Sequence, residues 1–134
     1  MDINNYTVTF DPSLPPAEQI KIAPTFPPLL NTPAAPPFPV TVSASITLFT
    51  FTLSGPPGAT FLSYPVQWSM APGVTTPDNP PPMFMVHSYD DQHFSIWDYN
   101  GGTTTTSHNF FVLVYYDGSI YSGDPTIVND PPAG

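Results

Sequence analysis

The chain has 134 residues with 21 prolines, no cysteine and a formal net charge of −9, ten acidic groups facing a single cation. This excludes disulfides, thiolate metal sites and cysteine nucleophiles, and it disfavours phosphate backbones and anionic membranes, which clusters of Lys and Arg recognise. With Lys21 as the lone cation and no Arg, stability has to come from apolar burial and backbone hydrogen bonds.

Leu, Ile, Val and Phe make up about a quarter of the residues, above the range of disordered chains. The length fits one domain, 1–134, large enough to bury a core without covalent staples. No apolar run approaches a membrane span, and MDINNYTVTF lacks a basic region followed by an apolar one, so a cytoplasmic location is expected.

In chain order, Tyr6, Val8 and Phe10 alternate with threonines, which predicts a short strand buried on one face. Residues 11–39 then hold many prolines, which lack an amide donor and force extended geometry on their predecessors; helix and central strand are both excluded. The segment is either a polyproline ligand for an aromatic groove or an extended arm packed on its own domain. Ile20, Ile22, Phe26, Leu29, Leu30 and Phe38, spaced between the prolines, favour the packed arm.

Residues 40–53 form the next β-rich block. Val40, Val42, Ala44, Ile46 and Leu48 share one phase and Phe49, Phe51 and Leu53 the other, so a bulge, a bend or a switch of sheets is expected near Leu48-Phe49. After the turn at Gly55-Pro56-Pro57-Gly58, the residues Leu62, Tyr64, Val66, Trp68 and Met70 alternate again, and Pro65 points to an edge or a bulge. A loop, 71–82, precedes a short run at 83–87. Residues 93–99 then place Phe94, Ile96 and Asp98 in one phase and Trp97 and Tyr99 in the other.

The clearest local signal is at 109–122: a long strand, Asp117-Gly118, and a second strand, a pattern that predicts a hairpin with a type I′ turn. In its first strand Phe110, Val112, Val114 and Tyr116 are apolar on one face and Phe111, Leu113 and Tyr115 on the other. A sandwich strand shows one face to water, so the second face calls for a cover: the arm, another subunit, or both. Together these segments predict an all-β fold, an immunoglobulin-like antiparallel β-sandwich of about seven strands with a proline-rich N-terminal arm at 11–39.

Downstream of Asp117-Gly118, the run Asp124-Pro125-Thr126-Ile127-Val128-Asn129-Asp130-Pro131 resembles the carboxy-terminal signature of the bacterial DP-EP family, small proteins without an assigned activity. The resemblance covers about the last 25 residues and departs from the family name in having Asp130-Pro131 where Glu-Pro is implied. It implies an immunoglobulin-like sandwich and supplies no functional residues. The two Asp-Pro pairs themselves read as strand terminators, with the carboxylate accepting from nearby backbone and the proline ending the pairing.

Three chemistries remain to be placed. Asp90, Asp91 and His93 lie close together in VHSYDDQHF with His87 and are usable ligand types for zinc or a similar divalent ion, and the aspartates also offer oxygen ligands to calcium, although no finger, helix or EF-hand spacing is present. Asp98, Asn100, Asp117 and Asp124 add oxygen donors on expected loops, where solvated turn formers are the commoner role. Trp97 and Tyr99 read either as core or as a platform that stacks on a sugar or another flat neutral ligand, while Trp68 reads as the core tryptophan. No nucleophile-elbow motif or phosphate loop occurs, so no enzymatic activity and no resident cofactor are expected. The sequence thus predicts a structural or interaction module that forms a homo-oligomer, with a small-ligand module for carbohydrate or calcium as the alternative.

Overall fold

The computed structural model describes residues 2–27, 34–68, 83–123, 125–130 and 132, with Thr126 described by its backbone alone. Ten strands account for most of them: β1 (Asp2–Phe10), β2 (Ile20–Pro24), β3 (Val40–Val42), β4 (Ile46–Ser54), β5 (Thr60–Trp68), β6 (Phe84–Asp90), β7 (His93–Tyr99), β8 (Thr106–Tyr116), β9 (Ser119–Gly123) and β10 (Thr126–Asn129). One sheet runs β2-β1-β4-β7-β6; the other runs β3-β10-β8-β5, with β9 also paired to β8. The fold is an all-β sandwich. The orders β4-β7-β6 and β10-β8-β5 are those of the B-E-D and G-F-C strands of immunoglobulin-like domains.

Two expectations need correction. The strand number is ten, not about seven, because the arm supplies β2, the 40–53 block divides into β3 and β4, and 126–129 forms a strand of its own. The sheets are mixed rather than antiparallel: β1 runs parallel to β4, and β3 parallel to β10. Both parallel pairs follow from chain routing. The arm turns back along β1 as β2, crosses to the other sheet as β3, and then returns to start β4 beside β1.

This crossing also explains the phase change in 40–53. Val40 and Val42 are buried from one sheet and Phe49, Phe51 and Leu53 from the other. A switch of sheets therefore occurs, but at Ser43–Ser45, ahead of the expected Leu48-Phe49 position; Ile46 and Leu48 already belong to the outer face of β4. In β5 the pairing with β8 shifts register between Phe61 and Val66, a stretch that contains Pro65, on a strand that is also a sheet edge. Met70 and the 71–82 loop lie outside the described residues.

The core is largely aromatic. Phe51 stacks on Phe94 with ring centroids 4.6 Å apart, Phe61 meets Phe94 edge-on at 4.8 Å, and Trp68 stacks on Phe84 at 4.7 Å. Trp68, 4% exposed, is the core tryptophan the sequence predicts. Such pairs add about 0.5–1.5 kcal/mol each beyond the burial of their area. In a chain with one cation, that apolar contribution takes the place of ion pairing.

The arm is a working part of this core. Ile20 and Ile22 stand opposite Phe10 and Val8 on β1, and Phe38 packs on Tyr6 at 4.4 Å. The Tyr6 hydroxyl donates to the Pro36 carbonyl at 2.9 Å, and burial pushes its phenol above the ordinary range. The described arm residues close the β1 side of the sandwich, and the second face of the 110–116 strand lies on the other sheet. There Phe111 and Leu113 are half-buried and Tyr115 is exposed. Leu29 and Leu30 lie outside the described residues.

The hairpin has the predicted turn. Asp117 and Gly118 take φ of 49° and 79°, the positive pair a type I′ turn requires, between β8 and β9. Pro125 and Asp130 flank β10, and the Asp130 amide donates to the Val42 carbonyl, so this end of the chain is tied to β3. Asp124 and Pro131 lie outside the described residues.

Candidate functional site

Period-two alternation in β7 decides which side chains reach the surface. Phe94, Ile96 and Asp98 point into the sandwich and are buried, whereas Trp97 is half-buried and Tyr99 is 44% exposed on the outer face. Their rings lie 6.4 Å apart at 17°, nearly parallel. Both rings therefore lie on the outer face of the sheet and not in the core.

Register extends the pair into a patch. Trp97 is flanked by Leu48 on β4 and Met85 on β6, and Leu48 by Ile3 on β1, so one apolar row crosses four strands: Ile3, Leu48, Trp97, Met85. The neighbouring row adds Ile46 beside Tyr99. Ile3 and Met85 are 38% and 56% exposed. Beyond Met85 on the same strand, the His87 and Tyr89 rings meet at 4.4 Å, and the Ser95 hydroxyl donates to the Tyr89 hydroxyl. None of the residues in the two apolar rows carries a charge.

The other half of this face is polar. Thr7, Asn5, Thr50 and Thr52 occupy the next registers, where the Thr50 hydroxyl donates to the Asn5 amide oxygen and the Thr7 and Thr25 hydroxyls lie 3.0 Å apart. A threonine-lined half with hydroxyls bonded to one another is an ordinary solvated sheet surface. The contrast isolates the apolar half as the part with unmet burial.

The Asp90, Asp91 and His93 group sits at the turn between β6 and β7. Asp90 Oδ1 accepts the Gln92 amide at 2.8 Å and lies 2.8 Å from His93 Nδ1, so its carboxylate closes the turn. Those hydrogen bonds, the Gln92 amide first, hold the Asp90 carboxyl below its usual range. Asp91 contributes its backbone carbonyl, which accepts the Phe61 amide at 2.7 Å. The structure thus brings Asp90 and His93 together, and among the described residues no group of three or more His, Cys, Asp or Glu converges on one point.

Of the oxygen donors placed on loops by the sequence, Asp98 is corrected: it is a fully buried strand residue. Its Oδ1 accepts from Asn129 Nδ2 at 2.9 Å, a link from one sheet to the other, while Oδ2 has no partner among the described residues. Loss of water raises its carboxyl to about 6. Asn100 is also buried, donating from its amide to the carbonyls of Val42 and Asp130. Asp117 is a turn residue.

Among the described residues no helix is long and apolar enough to cross a membrane. No protein-family model matches the chain, and no curated protein matches its sequence.

Proposed function

We propose that this protein is a non-enzymatic interaction module that self-associates by stacking the outer face of its β2-β1-β4-β7-β6 sheet on the same face of a second copy. The observation that carries this is the uncharged row Ile3-Leu48-Trp97-Met85 with Ile46 and Tyr99 beside it. Sheets stack face to face by burying rows of this kind. From strand spacing and rise, the apolar half of the face spans on the order of 400 Å². A standard interface buries about 800 Å² per partner, so association is weak, with a dissociation constant in the micromolar range or above.

Sedimentation velocity across the micromolar to millimolar range tests this. The weight-average mass rises with concentration in the native chain, and Trp97→Ser shifts the rise to at least about tenfold higher concentration, as expected for an aromatic anchor. A mass that stays monomeric throughout sinks the proposal.

A second reading rests on the near-parallel Trp97 and Tyr99 rings, which form a platform for the flat face of a neutral ligand such as a carbohydrate. Quenching or a blue shift of Trp97 fluorescence by a glycan panel supports it, and indifference to every glycan removes it. Binding of calcium or zinc at Asp90, Asp91 and His93 is tested alongside by melting curves with and without each ion, since a ligand that binds only the native state raises the Tm. Membership of the bacterial DP-EP family is part of the same proposal and is supported by the carboxy-terminal resemblance.

A further inference from the structure

A sheet edge exposes unpaired amides and carbonyls, and proteins blunt such edges with proline, lysine, bulges or shortness. Three edges here are blunted. The β2 edge carries Lys21 and Pro24, β3 has three residues, and β5 carries Pro65 with a register shift. On the other sheet's hairpin, β9 abuts β2, where a Cβ on Gly123 would come within 2.7 Å of Ile20. The β6 edge is different. Among the described residues β6 pairs with β7 alone, its register shift falls at the turn end between Ser88 and Asp90, and Phe84–Ser88 is regular strand with no proline or lysine.

We infer that β6 pairs antiparallel with β6 of a second copy, joining two five-stranded sheets into one continuous sheet of ten strands. This is an interface separate from the stacked face. Side-chain alternation restricts the register, because outer residues must meet outer residues and a slip by one would mix the faces. The two-fold axis that matches the regular segment to itself passes through Val86. It sets Met85 opposite His87 of the second copy, Phe84 opposite Ser88, and Val86 opposite Val86.

Two observations favour a second copy as the occupant. Val86 packs against the core yet is only half-buried at this edge, and an identical Val86 completes its cover. Charge is also accommodated: antiparallel pairing about Val86 leaves the two Asp90 residues about 27 Å apart at strand rise, well beyond the screening length of about 8 Å at physiological salt. A parallel arrangement would set Asp90 against Asp90.

The test uses the full chain, which contains no native cysteine. Paired Cα atoms across antiparallel strands lie about 4.5–5.5 Å apart, within disulfide reach. Val86→Cys therefore oxidises to a covalent dimer at least tenfold faster than Ser122→Cys, an exposed position on β9. A rate no faster than that control overturns the inference, and because Val86 lies on the inner side of the sheet, face stacking cannot produce the crosslink. Charge reversal supplies an independent readout at exposed positions. Met85→Lys/His87→Lys and Met85→Glu/His87→Glu each lose the edge dimer, and mixing the two in equal amounts restores a heterodimer by sedimentation; a mixture that shows no more dimer than either variant alone also overturns it.

Discussion

Asp98 has one carboxylate oxygen bonded to Asn129 and the other without a partner among the described residues, inside an apolar core. Its folded value of about 6 lies above the ordinary 3.8, so the native state holds the proton more tightly than the unfolded chain. The stability this contributes is fully present below about 3.8 and is lost as pH rises through about 6. At about 1.4 kcal/mol per pKa unit, the penalty at pH 8 is roughly 3 kcal/mol. Asp98→Asn keeps the acceptor for Asn129 and removes the charge. Urea denaturation should find the variant roughly 1–3 kcal/mol more stable than the native chain at pH 8, with the difference shrinking towards pH 4. A variant equally destabilised at both pH values would contradict the role given to the charge. Tracking alternation in β7 shows that Asp98 faces inward with Phe94 and Ile96. Its burial under β10 was not legible, because Asn129 is 31 residues away and nothing local predicts that contact.

At the scale of elements, the hairpin and the arm respond differently to substitution. Gly118 sits at φ 79°, where a β-branched side chain is strained, so Gly118→Val should cost about 1–2 kcal/mol in urea denaturation and loosen the β8-β9 turn. Gly123→Val acts through contact instead: its first carbon would meet Ile20 Cγ2 at 2.7 Å and push β2 away from β9. A loss of about 1–3 kcal/mol is expected, with faster amide exchange in β2 than in β8. If β2 exchange is unchanged, the arm is not held there. The hairpin was readable from Asp117-Gly118 because turn chemistry is local. The strand in the arm was hidden, since its prolines argue against pairing, yet Ile20 and Ile22 needed only the open side of β1 as an edge partner. Likewise the switch at Ser43–Ser45 showed in the sequence as a phase change, while its position depended on where the chain leaves one layer for the other.

For the whole molecule, charge and burial act in opposition. A net charge of −9 repels like copies at long range, but the two apolar rows of the outer face are uncharged, so added salt should strengthen self-association by screening the remainder. Association that weakens with salt would point to ion pairs, which one cation can scarcely supply. The phase of Trp97 and Tyr99 could be read from the sequence; the patch around them could not, because Ile3, Leu48 and Met85 come from three other strands and meet only through register. The most direct test of the stacked face is the tryptophan emission of the native chain as a function of concentration. Trp68 is sealed in the core and serves as a constant background, while Trp97 loses water when the faces meet. The account predicts a blue shift on going from micromolar to millimolar protein that is absent in Trp97→Ser; emission that does not change with concentration in the native chain would contradict it.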